Sequence, residues 1–160
     1  MYNEILQILS KNSRLTNEQI AVMLGKTEEE VANAIKEMEE KNIILGYPAL
    51  IDWEKTDNDI VTAYIEVKVT PQRDKGFDDV AEKIYQFSQV KSCSLMSGSF
   101  DLFVIVEGKS MKDVALFVAE KLATIDAVLS TSTHFVLKKY KDKGVIFNQN
   151  RKDVREAVVL

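Results

Sequence analysis

The chain has one cysteine, Cys93, and one histidine, His134, among its 160 residues. A single thiol closes no disulfide within the chain, and one Cys with one His falls short of the ligand set of a structural zinc site. No metal and no cofactor is expected from this composition. No apolar run approaches the roughly 20 residues that a bilayer-spanning helix needs. The N-terminus, M-Y-N-E-I-L-Q-I-L-S, lacks the basic start and small-residue cleavage site of a signal peptide. These absences predict a cytoplasmic protein without membrane contact. Positive charge is also short. Lys and Arg number 21 against 25 Asp and Glu, a net charge of -4, so the bulk charge announces no nucleic-acid partner. What is present, 46% apolar and 29% charged residues, is the composition of one or two small globular domains and excludes disordered and fibrous classes.

Apolar spacing predicts three helices over residues 1–43. The first, over 2–11, carries Ile5, Leu6, Ile8 and Leu9; the second carries Ile20, Met23 and Leu24; the third, over 28–41, carries Val31, Ala34, Ile35 and Met38. Thr16 with Gln19, and Thr27 with Glu30, fit the S/T-x-x-E/Q capping box, in which each side chain satisfies a free backbone N–H at the other's position. Gly25 between the second and third helices allows a left-handed turn without Cβ strain. Two capped helices around a short turn predict a helix-turn-helix. Residues 43–47 and 49–53, separated at Pro48, read as two short strands forming a wing. The first domain is then 1–53, with a linker over 54–59.

From Ile60 onward the period changes. Ala63, Ile65, Val67 and Val69 alternate with Tyr64, Glu66 and Lys68, the signature of a strand with one buried face. A helix over 77–87, strands over 90–97 and 102–106, a helix capped by Ser110 and a last strand over 127–137 complete a βαββαβ order. That order predicts an α+β fold, an antiparallel four-stranded ferredoxin-like sheet with both helices on one face, over 60–140. Residues 102–106 (L-F-V-I-V) are apolar at every position, whereas the helices cover one face alone. The open face is therefore expected to meet a second copy of the chain.

The ordered motifs I-L-x-x-L at 5–9, R-L-T-N-E-Q-I-A-x-x-L-G at 14–25, G-Y-x-A-x-I-D at 46–52, G-x-x-D at 98–101 and V-x-x-T-x-T-x-x-V-L at 128–137 together resemble the Lrp/AsnC family. These feast/famine transcription regulators join a winged helix-turn-helix to a ferredoxin-like sensing domain. The resemblance implies a regulator that binds double-stranded operator DNA, responds to an amino acid or similar small effector, and assembles as a homodimer or octamer. It places DNA contact on Thr16, Asn17, Lys26, Thr27, Glu30, Asn33 and Lys36. It places the effector on Met96, Gly98, Ser99 and Asp101 of a turn, with Thr131 and Thr133 of the last strand. A glycine turn exposes N–H donors for a carboxylate, and Asp101 supplies an acceptor for an ammonium group. The plainer alternatives are a hairpin turn whose Asp merely bonds its own backbone, and threonines present for strand propensity.

The chain departs from the family pattern in its recognition helix, which opens Glu28-Glu29-Glu30 and offers Asn33, Lys36 and Lys41 against Glu37, Glu39 and Glu40. Residues 1–50 sum to -3. Since DNA affinity draws heavily on phosphate neutralisation, non-specific binding should be weak. Three readings follow: glutamates that merely complement the helix dipole, a Glu accepting from a cytosine amino group beside an Asn33 that reads adenine, or a ligand-sensing oligomeric module that has lost DNA binding. Residues 138–155 read as a basic, solvated strand end and tail, with contact to DNA or a neighbouring subunit as the alternative; the C-terminal tail is 141–160, of which 154–160 reads as short and amphipathic.

No catalytic residue is expected. Cys93 and His134 belong to strands at opposite edges of the predicted sheet, the acidic pairs lie on helix surfaces, and Gly98 and Gly108 bracket a strand rather than form a phosphate loop. Sirohaem decarboxylases resemble the same fold, but their chemistry depends on basic and histidine residues, and this chain has His134 alone.

Overall fold

The computed structural model describes residues 1–70 and 76–147, and the chain forms two compact units that meet in sequence at Ile51 and Asp52. The first holds α1 (Tyr2–Lys11), α2 (Asn17–Leu24) and α3 (Glu28–Glu40). Their inward positions, Ile5, Ile20, Ala21, Val31, Ala34 and Met38, form one buried core. Both predicted capping boxes form. The Thr16 N–H donates to Gln19 Oε1 at 3.0 Å and the Gln19 N–H returns to Thr16 Oγ1 at 3.2 Å. At α3 the Thr27 N–H reaches Glu30 Oε2 at 2.8 Å and the Glu30 N–H reaches Thr27 Oγ1 at 3.2 Å. Gly25 ends α2 at φ 63°, the left-handed region, and the next N–H, from Lys26, donates to Ala21 O at 3.0 Å. The chain therefore reverses from α2 into α3 within three residues, as the Gly between two capped helices requires.

The predicted strands at 43–47 and 49–53 do not form. Asn42 turns left-handed at φ 54°, and the Ile43 and Ile44 N–H groups both donate to Met38 O, at 2.8 and 3.2 Å. The first residues of the expected wing are thus spent closing the C-terminus of α3. Residues 45–52 run extended without a strand partner among the described residues, and a single-turn 3₁₀ helix follows at Trp53–Lys55.

The second unit contains β1 (Val61–Val69), α4 (Asp78–Tyr85), β2 (Val90–Leu95), β3 (Leu102–Gly108), α5 (Met111–Phe117) and β4 (Val128–Phe135). The sheet order is β2-β3-β1-β4, with every neighbouring pair antiparallel. That is the expected βαββαβ sheet. Ala63, Ile65, Val67 and Val69 of β1 and Leu102, Val104 and Val106 of β3 are buried against Val80, Ile84, Val114, Phe117 and Leu122 from the helices. Ser110 caps α5 by accepting from the Asp113 N–H at 3.1 Å. After Phe117 the helix widens into a π turn at Val118–Leu122, which no periodicity signal announces. Beyond β4 a small hairpin pairs β5 (Lys141–Asp142) with β6 (Val145–Ile146). The amphipathic reading of 154–160 lies outside the described residues.

Candidate functional site

The first unit presents α3 outward. Glu29, Asn33, Lys36 and Glu40 are exposed and spaced at i, i+4, i+7 and i+11, so they share one face. Thr16 and Thr27 sit at the two N-caps with their hydroxyls engaged in capping. Glu30 is held by the same box: Oε2 accepts from both the Thr27 N–H and the Thr27 hydroxyl, and these bonds, with the Thr27 backbone bond the larger cause, pull its carboxyl below the usual range. Oε1 has no hydrogen-bond partner among the described residues. Asn33 is exposed near the middle of the helix. Lys36 lies 3.9 Å from Glu40, with both side chains mostly in solvent, an arrangement worth little and easily exchanged for a phosphate. Asn17, at the start of α2, borders the same 330 Å³ groove as Lys36, together with Tyr47 and Glu39. The Tyr47 hydroxyl donates to Glu39 at 2.7 Å, and burial together with that carboxylate pushes its pKa up to about 12. Lys26 stands exposed in the turn between the two helices. Lys41, by contrast, is spent on Glu37, which also accepts from the Tyr2 hydroxyl and so ties α1 to α3.

The second unit brings the turn of residues 96–101 against the C-terminal end of β1. The Met96 N–H donates to Asp101 O at 2.8 Å, the Asp101 N–H to Val67 O at 3.0 Å, and the Val69 N–H to Asp101 Oδ2 at 2.9 Å. Asp101 Oδ2 is thus tied not to the backbone of its own turn, as the plainer reading has it, but to that of a neighbouring strand, and Oδ1 has no hydrogen bond among the described residues. Gly98 adopts φ 137°, strained for a residue with a side chain, and Met96, Gly98 and Ser99 are exposed. On the other side of β1, Thr131 pairs with Val67 and Thr133 with Ile65. Asp101 and Thr131 thus flank the same β1 residue from opposite sides, with Thr133 one side-chain step further along the sheet. Both threonines are half-buried on the helix-covered side, in register with buried residues.

The opposite sheet face carries Tyr64, Phe103 and Ile105 at its centre. The Tyr64 and Phe103 rings stand 5.5 Å apart, and Phe100 packs 6.1 Å from Phe103. His134 lies on this face opposite Tyr64, 3.8 Å from Glu66. Cys93 sits in β2 opposite Val104, on the other face and at the other edge. The pair cannot meet within one chain, and burial raises the Cys93 thiol pKa, the wrong direction for a nucleophile.

A cleft of about 720 Å³ opens at the other end of the sheet, among residues 59–60, 88–91, 106–109 and 113–121. None of the six sequence-predicted effector residues lines it. Periodicity and spacing gave no sign of this cleft, because it arises where a loop, a strand end and a helix converge from three separate stretches of sequence.

Comparison with known proteins follows the same division. Residues 3–44 match the family model described as winged helix-turn-helix DNA-binding, and residues 62–146 match the Lrp/AsnC ligand binding domain. The chain is 52% identical to the HTH-type transcriptional regulator YugG of Bacillus subtilis, over 97% of this chain and 94% of that one. It is 32% identical to the HTH-type transcriptional regulator LrpA of Pyrococcus horikoshii, over 86% and 94%. Among solved structures, the transcriptional regulator NMB0573 of Neisseria meningitidis in complex with L-Met superposes with a TM-score of 0.69 at 25% identity, covering 92% of this chain and 95% of that one.

Proposed function

The chain belongs to the Lrp/AsnC family of transcriptional regulators, and from that premise we propose that it reads operator DNA through the outward face of α3 while an amino acid occupies the turn of residues 96–101. The observation that carries the DNA reading is the row Glu29, Asn33, Lys36 and Glu40 on a helix whose start is fixed by Thr27 and Glu30. Asn33 offers the amide geometry that pairs with adenine, and Glu30 Oε1 can accept from a cytosine amino group. Lys26 and Lys36 supply the phosphate contacts, and Thr16 and Asn17 set the start of α2 against the backbone. With so few cations, affinity rests on base contacts more than on charge.

The effector reading is supported by Asp101, which ties the glycine turn to the end of β1, and by Thr131, which pairs with the same β1 residue, Val67, from the other side. Exposed N–H groups around Met96, Gly98 and Ser99 suit a carboxylate, Asp101 Oδ1 suits an ammonium group, and the hydroxyls of Thr131 and Thr133 add neutral bonds. NMB0573 in complex with L-Met is a structural neighbour of this kind. A homodimer forms through the Tyr64, Phe103 and Ile105 face, whose apolar centre and serine-bearing edge strands β2 and β4 have the layout of a protein interface. The protein works in the cytoplasm by binding alone, without catalysis. No helix among the described residues is long and apolar enough to cross a membrane.

Binding isotherms at several salt concentrations test the assignment of α3. Lys36→Gln should weaken specific and scrambled DNA alike and reduce the salt slope by about 0.9. Asn33→Ala should erase the preference for the specific site by about 1–3 kcal/mol with an unchanged slope. Equal behaviour of the two variants would remove α3 from the DNA. The acidic face favours a second reading, a sensing module without DNA affinity, and absence of binding at low salt would establish it.

A further inference from the structure

We propose that the hairpin of residues 138–147, outside the helix-turn-helix, is a second contact to duplex DNA, one that grips backbone phosphates without reading bases. This rests on the reading of the chain as a DNA-binding regulator and assigns part of the binding to the second unit.

Charge is distributed unevenly along the chain. Residues 1–50 sum to -3, whereas residues 138–147 hold Lys138, Lys139, Lys141 and Lys143 against Asp142 alone, +3 in a chain whose net charge is -4. A unit short of cations gains little affinity from phosphates. In the first unit Lys41 is held by Glu37, and Lys36 lies within reach of Glu40. In the hairpin Lys139 Nζ stands 3.3 Å from Asp142 Oδ2. Lys138, Lys141 and Lys143 are exposed and form no ion pair among the described residues. Three uncompensated cations so close in sequence complement a polyanion.

The geometry readies those cations. Lys138 Nζ lies 5.2 Å from the centroid of the Tyr140 ring, and Lys139 Nζ 5.6 Å from that of Phe147. A ring beneath an ammonium group steadies the long side chain and leaves N–H groups open on the far side. It also occupies a ring face that a base would need for stacking, which favours phosphates over unpaired bases as the partner. Lys143 and Gly144 turn the chain at φ 44° and 81°, the two left-handed positions of a two-residue turn between Asp142 and Val145. Asn sits in the first of these without strain; a lysine there costs backbone energy and gains a charge at the tip.

The hairpin adds nothing to the buried core of the second unit. Its pairing is confined to Lys141 with Ile146 and Asp142 with Val145, closed by the Phe147 N–H on Tyr140 O at 2.9 Å. Tyr140, Val145 and Ile146 are more than half exposed, and none of residues 138–147 joins the core. Its lysines can therefore be exchanged without disturbing the packing around β1.

The test is fluorescence anisotropy of the full-length protein on its upstream duplex, on a scrambled duplex and on a single strand of the same length, across a salt series, with sedimentation velocity of each variant. Lys138→Gln, Lys141→Gln and Lys143→Asn are combined; the last installs a residue suited to the left-handed turn, so the melting temperature should hold. The slope of log K against log salt should fall by about 1–2, one or two phosphates at about 0.9 each, equally on both duplexes and with the preference between them unchanged. Lys143→Asn alone, the mildest change, should lower the slope by up to about 0.9. A control with the same change in net charge, Lys83→Gln, Lys112→Gln and Lys121→Gln at exposed positions after β1, should keep the wild-type slope. The proposal is overturned if the hairpin variants keep the wild-type slope or if the control loses as much. It is also overturned if the hairpin variants change the sedimenting species, which would make the hairpin a contact between copies, or if their loss is confined to the single strand. Wild-type protein that binds both duplexes equally, with the slope still falling in the hairpin variants, would refute base reading by α3 and uphold the hairpin. A clear preference with an unchanged slope would do the reverse, and wild-type protein that binds neither duplex at about 50 mM salt overturns both.

Discussion

Thr27 and Glu30 exchange three hydrogen bonds at the start of α3, and the outward face of that helix depends on them for its position. Replacing Thr27 by Ala removes the acceptor for the Glu30 N–H and should cost about 1 kcal/mol of stability, read as a lower melting temperature. Thr27→Ser keeps the acceptor and should restore most of the loss. This box was legible in the sequence, since T-x-x-E before an apolar-periodic run has few other uses. The sequence could not show that Glu30 spends one oxygen on the cap and keeps the other. The same holds for Asp101: its place in a glycine turn was readable, while its bond to the Val69 N–H, 32 residues away in sequence, depends on strand pairing.

For α3 as an element, acid is the informative perturbation. Glu30 and Glu37 both have lowered carboxyl pKa values, the first through Thr27 and the second chiefly through Lys41. A depressed folded-state pKa contributes stability above the unfolded value, and that contribution is lost as pH falls through the folded value. Helicity of the first unit should therefore decline on acidification below the ordinary carboxylate pKa of 4.5. Glu30→Gln keeps the acceptor oxygen but does not titrate, so circular dichroism should show a shallower acid limb; an identical limb would mean that the cap does not sense pH. The elements that sequence reading placed well were those with a strong period, β1 and the capped helices. It misplaced the wing because residues 43–53 have strand-like composition, and composition does not supply a pairing partner. Ile43 and Ile44 were claimed instead by the carbonyl of Met38. The π turn went unread because V-A-E-K-L looks like any helix.

At the scale of the whole molecule, an acidic DNA-binding unit is joined to a sheet with an apolar open face. Ile105→Glu places a charge at the centre of that face and should convert the proposed dimer to a monomer in sedimentation velocity, with the melting profile of the helix-backed core retained. A variant that still sediments as a dimer would relocate the interface. The proposed dimer would also raise affinity, since two α3 helices on two half-sites would double the base contacts of a chain with few cations.

The most direct test is fluorescence anisotropy of the full-length protein on its own upstream DNA against a scrambled duplex, at about 50 and about 200 mM salt, where charge-driven binding changes steeply. The account predicts a clear preference for the upstream fragment, a shallow salt dependence in keeping with the net charge of -4, and a shift of the isotherm on addition of an amino acid. Equal, steeply salt-dependent binding to both duplexes, or no binding to either at the lower salt, would contradict it.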